Sequence, residues 1–256
     1  MRPRPERVLL LAVGVVVGLV AVLAIRAGVG SVRWTLRGLV ELQRLPPAAP
    51  LHPPPAPQRI AHGAGALDGR PTPNSLEALE RNHGRGVRWF EVDFLPDASG
   101  AWWAVHDWGQ SAALRPPRLA EVLDWFGRHP DARLISDTKG DSATLLRELA
   151  AAAPELRARI HPQLYRFEEY TAARAAGFGA PIFTTYRSAY PWWLVRRFVD
   201  RATLLAVTVT RNEVRDGCAA LCGKVPLLTH TVNDSAEAAA LARAGLAGVY
   251  TDDLLP

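Results

Sequence analysis

Six side chains of this 256-residue chain could share one reaction: His62, Glu91, Asp93, His106, Asp137 and Lys139. Glu91 and Asp93 stand two apart, as do Asp137 and Lys139, so each pair shares one face if its backbone is a strand. Three carboxylates brought to one place make an oxygen-rich site for a hard divalent cation, Mg2+ or Ca2+. Without a cation they would repel one another and raise each other's pKa. Two histidines beside such a cation are candidates for general acid and general base, because free imidazole titrates at about 6.5. Lys139 can neutralise a bound phosphate. Gln163, Tyr165, Arg187 and Asn233 fall at the ends of later strands and are candidate substrate or phosphate contacts. Glu91 and Asp93 alone would suit an ion-pair face equally well, so the case rests on the whole set. His161 and His230 lie on strands and read as packing or lining residues, and His52, His83 and His129 have no assigned role.

The elements that must carry these residues follow from the hydrophobic pattern. After Arg59, short apolar segments centred on Ile60, Phe90, Trp103, Leu134, Ile160, Ile182, Leu205, Leu227 and Val249 alternate with helical stretches such as 75–82, 119–126, 143–152, 170–176 and 236–244. This alternation indicates parallel βα units. Nine strands are one too many for an eight-stranded barrel. Only five residues separate Leu95 from Ala101, whereas a parallel crossover needs about a dozen or more. The segment 101–106 therefore doubles back as a hairpin arm, which leaves eight repeats. The predicted fold class is α/β, a (β/α)8 TIM barrel over residues 59–256. In such a barrel chemistry sits at the C-terminal ends of the strands, where the candidate residues fall.

Ahead of the barrel, residues 8–25 are an unbroken run of 18 apolar or glycine residues, with Arg2, Arg4 and Arg7 before it and Arg26 after it. Eighteen residues of helix span about 27 Å, close to the hydrocarbon thickness of a bilayer. Residues 1–30 are therefore expected to form a transmembrane signal anchor, with the following domain on the extracytoplasmic side. Residues 31–44 carry Trp34, Leu36, Leu39 and Val40 among three arginines and suit a membrane surface. Seven prolines between 46 and 57 make a stiff spacer, so 31–58 is expected to be a juxtamembrane segment and Pro-rich linker. The net charge of +5 belongs to this leader, which holds seven Arg and two Glu, while residues 59–256 carry 23 basic and 23 acidic residues. A globular part without a basic field argues against nucleic-acid binding. The two cysteines, Cys218 and Cys222, exclude a disulfide-rich scaffold and read as two small buried apolar residues.

The full set of candidate residues resembles that of the glycerophosphodiester phosphodiesterases, barrel enzymes related to phosphatidylinositol-specific phospholipase C and sphingomyelinase D. IAH at 60–62, TPNSLEAL at 72–79, FEVDF at 90–94, AVHDW at 104–108, LISDTKG at 134–140, HTVND at 230–234 and VYTDDLLP at 249–256 are similar to that family's motifs in order. The resemblance implies catalytic histidines at 62 and 106, metal ligands at 91, 93 and 137, and a phosphodiester substrate. The chain departs from the pattern in four ways, one of them the absence of the family's insertion after the second histidine. The family usually has Arg after the first histidine, where this chain has Gly63. Asp137 replaces a usual Glu, and His230 replaces a usual Trp.

The expected activity is cation-dependent cleavage of glycerophosphodiesters or related phospholipid head-group diesters by two-histidine acid–base catalysis. A sphingomyelinase D-like or phospholipase-like cleavage of intact lipid is the alternative within this chemistry. A catalytically weak, membrane-tethered binding barrel is the alternative of another class. The residues do not decide between water and a neighbouring hydroxyl as nucleophile, nor which histidine begins as base.

Overall fold

The computed structural model of the chain describes residues 32–45, 53–109 and 115–254. Eight parallel strands close on themselves: β1 (Arg59–Ala61), β2 (Trp89–Pro96), β4 (Arg133–Thr138), β5 (Ile160–Leu164), β6 (Ile182–Thr184), β7 (Ala206–Val209), β8 (Leu227–Thr229) and β9 (Gly248–Thr251). β1 pairs with both β9 and β2, which shuts the cylinder. β3 (Trp102–Ala104) runs antiparallel to β2, with Ala104 opposite Phe94 and Trp102 opposite Pro96. The five-residue connection thus forces the hairpin that its length predicts.

Among the described residues seven helices cross between the strands: α2 (Leu76–Gly84), α3 (Leu119–Arg128), α4 (Ser142–Ala152), α5 (Phe167–Ala175), α6 (Trp192–Val199), α7 (Val214–Leu221) and α8 (Ser235–Arg243). Their starts are written in the sequence. The Ser75 hydroxyl accepts from the Ala78 amide, the Asp141 carboxylate from Thr144 and the Asp234 carboxylate from Glu237, at 2.7–3.2 Å. Each closes an otherwise orphaned helix N-terminus.

The core divides in two. The larger part lies between the strands and the helices and includes Phe90, Phe94, Phe126, Phe167, Phe183 and Phe198. The smaller part fills the lower half of the barrel interior with Ile60, Ile135, Ile182, Leu205, Leu228 and Tyr250.

Helix α1, residues 32–44, precedes the barrel and lies against it. Gly38 is set so closely on Leu194 and Tyr190 that a Cβ there would meet Leu194 at 2.5 Å. Trp34 packs edge-on to Tyr190, Arg37 pairs with Glu168, and Arg201 donates to the Leu42 carbonyl. One face of this segment is therefore taken by α5 and α6. Most of the Pro-rich stretch, residues 46–52, lies outside the described residues, while α1 ahead of it packs on the barrel. The expected membrane anchor at 8–25 lies outside the described residues. No helix among the described residues is long and apolar enough to cross a membrane. Cys218 and Cys222 are free. They sit half-buried and exposed, Cys218 within α7 at the margin of the core and Cys222 just beyond its end, and are not sequestered in the core as expected.

Candidate active site

Strand register assembles the acidic group. Asp93 of β2 lies directly beside Asp137 of β4, and Glu91 is one pleat below Asp93 on the same inward face. Ligand oxygens of Glu91, Asp93 and Asp137 all lie within 4.8 Å of one another, and all three residues are buried. Lys139 continues β4 and turns its ammonium back between two of them, 2.7 Å from Asp137 Oδ2 and 2.9 Å from Asp93 Oδ1.

The charges do not balance. Three carboxylates face one ammonium, a deficit of two positive charges. Burial pushes Glu91 well above the usual carboxylate range, and repulsion from Asp93 and Asp137 adds to it. Burial also dominates at Asp137 and raises it, against the pull of Lys139. At Asp93 burial is outweighed by the Lys139 ammonium and the Asn74 amide, which hold its carboxyl below the ordinary value. Those same carboxylates outweigh burial at Lys139 and raise its pKa, which keeps it charged. The Asp93 Oδ1 atom is fully buried, and the Lys139 ammonium stands 2.9 Å from it. A divalent cation fits this site: it would use three buried, convergent carboxylates as hard oxygen donors and cancel the missing charge.

Backbone geometry supports the group from below. The amide of Gly63 donates to Glu91 Oε2 at 2.6 Å. Gly63 has φ +54°, and a Cβ there would sit 2.5 Å from the Cα of Thr72. The turn after His62 therefore excludes any larger side chain, arginine included. Asn74 clamps Asp93 from two sides: its Nδ2 donates to Oδ2, and its Oδ1 accepts from the Asp93 amide, each at 2.9 Å.

His62 and His106 reach the same cavity by different routes. It has a volume of about 260 Å³ and is lined by both histidines, Glu91, Asp137, Lys139, Gln163, Tyr186, Arg187, His230 and Tyr250. His62 ends β1, and its Nδ1 lies 3.0 Å from Asp252 Oδ1. Asn233 donates to the other Asp252 oxygen at 2.8 Å and accepts from the Asp252 amide. These bonds to His62 and Asn233 outweigh burial and hold Asp252 below the usual range. A charged Asp252 requires the proton of neutral His62 on Nδ1, which leaves Nε2 as the acceptor. His106 follows the hairpin arm β3, whose Val105 amide donates to the Asp93 carbonyl at 3.0 Å. It is half-exposed, with Nδ1 3.4 Å from Asp107.

The other residues singled out from sequence divide between two positions. Gln163 and Arg187 line the cavity. Arg187 donates to the Thr138 carbonyl at 3.1 Å and stacks over the Tyr165 ring. The Tyr165 hydroxyl donates to Asp137, and Asn233 engages Asp252, so both touch ligating or catalytic candidates and not the cavity. His230 lines the cavity beside His62 and Tyr186. Burial pushes it down to about 4, and its Nε2 has no partner. Asp252, Asn74 and Gly63 had no assigned role from sequence, although TPNSLEAL and VYTDDLLP contain two of them. His161 lies at the barrel floor, where Nδ1 meets the Ala180 carbonyl at 2.8 Å.

No protein-family model matches the chain, and no curated protein matches it by sequence. Its fold, however, is shared with solved glycerophosphodiester phosphodiesterases. One from Parabacteroides distasonis ATCC 8503 is 15% identical with a TM-score of 0.60, covering 76% of this chain and 92% of that one. A phosphodiesterase of Oleispira antarctica, solved in complex with the product sn-glycerol-3-phosphate, is 20% identical with a TM-score of 0.59, covering 77% and 93%. One from Agrobacterium tumefaciens str. C58 is 14% identical with a TM-score of 0.56, covering 77% and 96%. The chain is thus a (β/α)8 barrel of the form that these phosphodiesterases have.

Proposed function

We propose that the barrel is a divalent-cation-dependent phosphoric diester hydrolase acting on glycerophosphodiesters or related phospholipid head-group diesters. The observation that carries this reading is the single cavity walled by His62, His106, Lys139 and buried carboxylates with two positive charges missing. Glu91, Asp93 and Asp137 would hold the cation. A bound divalent ion supplies Lewis-acid polarisation of a phosphoryl oxygen. Lys139 and Arg187 bind the phosphate and offset the charge that grows on it. His62 acts as the base: Nε2 takes the proton of the nucleophile, water or the neighbouring hydroxyl of the substrate, and Asp252 steadies the imidazolium. The nucleophile's oxygen forms its bond to phosphorus as the bond to the leaving alkoxide breaks. His106 donates a proton to that alkoxide, which departs as an alcohol. The retention of every role argues against a binding module that has lost catalysis. The apolar run 8–25 with its leading arginines supports an anchored protein with the barrel on the extracytoplasmic side.

The test is turnover of a panel of glycerophosphodiesters and lysolipids by the full chain, with Mg2+ or Ca2+ and then with excess EDTA. Cation-dependent release of a phosphomonoester or cyclic phosphate is the expected result. Undiminished activity in excess EDTA, or no turnover of any diester, overturns the proposal.

A further inference from the structure

The direction of α1 relates the N-terminal apolar run to the mouth of the barrel. α5 and α6 each begin at the rim that carries the site and descend the outside of the barrel, because each follows the C-terminal end of its strand. Trp34 touches Tyr190, just before α6, and Arg37 pairs with Glu168 in the first turn of α5. Further along α1, the Leu42 carbonyl accepts from Arg201, which lies just beyond the lower end of α6. Helix α1 therefore starts at the rim and runs downward. Only residues 26–31 lie between its first described residue, Val32, and the apolar run, and six residues reach at most about 20 Å.

Exposed apolar side chains gather on the same side. The large exposed hydrophobics among the described residues are Val32, Leu36, Val40, Trp108, Tyr186 and Trp193. Val32, Leu36 and Val40 form one line down α1, at 58%, 60% and 46% exposure, opposite the face that grips the barrel. Arg33, Arg37 and Arg44 flank that line. Trp193 lies in the first turn of α6 with Arg197 against its ring. Trp108 stands at the upper end of β2, where its indole reaches the Pro96 carbonyl, and Tyr186 stands above β6. Apolar and aromatic groups bordered by arginine at the end of a membrane-length apolar run match a bilayer interface in both chemistry and position.

We infer that the mouth of this barrel faces a lipid bilayer, tilted toward α1, and that its diester is a lipid whose head group stands in that bilayer. The substrate half of this inference rests on the phosphodiesterase reading above, whereas the orientation does not. A cavity of about 260 Å³ holds a head group and its phosphate. The acyl part then remains among Trp108, Tyr186, Trp193 and the bilayer surface.

The experiment uses the full chain in nanodiscs of phosphatidylcholine with a minor anionic fraction. Two readouts are compared for the wild type, Leu36→Asp, Val32→Asp and Trp193→Asp. The first is quenching of tryptophan fluorescence by brominated acyl chains. The second is the turnover of lysophosphatidylcholine in the disc against that of soluble glycerophosphocholine. Quenching is expected in the wild type and reduced in Trp193→Asp. Each variant is expected to lose about tenfold in lipid turnover while keeping turnover of the soluble diester, which also shows that it folds. Normal turnover of the soluble diester with no quenching overturns the orientation and leaves the proposed activity standing. Quenching with no turnover of either diester overturns the activity and with it the substrate assignment. Quenching with lipid turnover unaffected by all three variants overturns the substrate assignment alone.

Discussion

The upper and lower halves of the barrel interior are built by the same strands and behave as opposite media. On β4, Ile135 points into the floor and Asp137 into the site; on β5, His161 points into the floor and Gln163 into the cavity; β2 goes from Trp89 to Glu91 and Asp93. A step of two residues keeps the side chain on the inward face and moves it about 6.6 Å up the strand. In the floor, Ile135 lies beside His161 in an apolar cluster, and burial pushes that imidazole down to about 4. At the rim, His62 is met by a carboxylate, and the acidic groups are held by Lys139, Asn74 and a backbone amide. Residue type alone therefore does not set a histidine's role in this protein, nor does height alone: His230 lines the cavity at the rim, and burial pushes it down to about 4 as it does His161.

Substitutions at the two levels should separate activity from stability. The largest effects belong to the rim. His62→Ala and His106→Ala should each lower turnover by about 10²–10⁴-fold with little change in melting temperature, and the double variant should lose less than the product of the two. Asp252→Asn should cost less, about tenfold to a hundredfold, since it frees the His62 ring without removing it. Parallel rate measurements and thermal scans check these outcomes; a collapse of the melting temperature in His62→Ala would make that residue structural. In the floor the signs reverse. Ile135→Ala should cost about 2–4 kcal/mol of unfolding free energy, read by denaturant titration, while activity per folded molecule stays near wild type.

A smaller effect tests the buried histidine. The folded-state pKa of His161, about 4, lies below the unfolded value near 6.5. Below pH 6.5 the unfolded chain gains a proton that the folded chain refuses. The stability is whole above that value and is lost as pH falls toward 4, by up to about 3 kcal/mol. His230 adds a loss of the same sign. His161→Gln should therefore flatten part of the slope of unfolding free energy between pH 6.5 and 4, and a slope identical to wild type would remove His161 from the account.

Much of this was determined by local sequence. The strand centres fall on or beside the nine observed strands, and a connection of five residues allowed only a hairpin at β3. Glu91 with Asp93 and Asp137 with Lys139 shared a face because the period of a strand is two. What lay beyond reach are contacts between residues far apart in sequence that carry no periodic signal. Asp252 meets His62 across 190 positions, a contact that no local pattern announces. Asn74 turns back on Asp93 through a left-handed backbone, and Gly63 is required by the approach of Thr72, a packing fact invisible in the letters His-Gly-Ala. Helix α1 reads as an amphipathic surface segment from its own residues. Tertiary structure decided which of its faces is buried, because Gly38 admits Leu194 and Tyr190 while Val32, Leu36 and Val40 find no partner in the barrel. Periodicity is a property of one segment and can be read from it, whereas closure of the barrel decides which segments meet and thus which charges share one site.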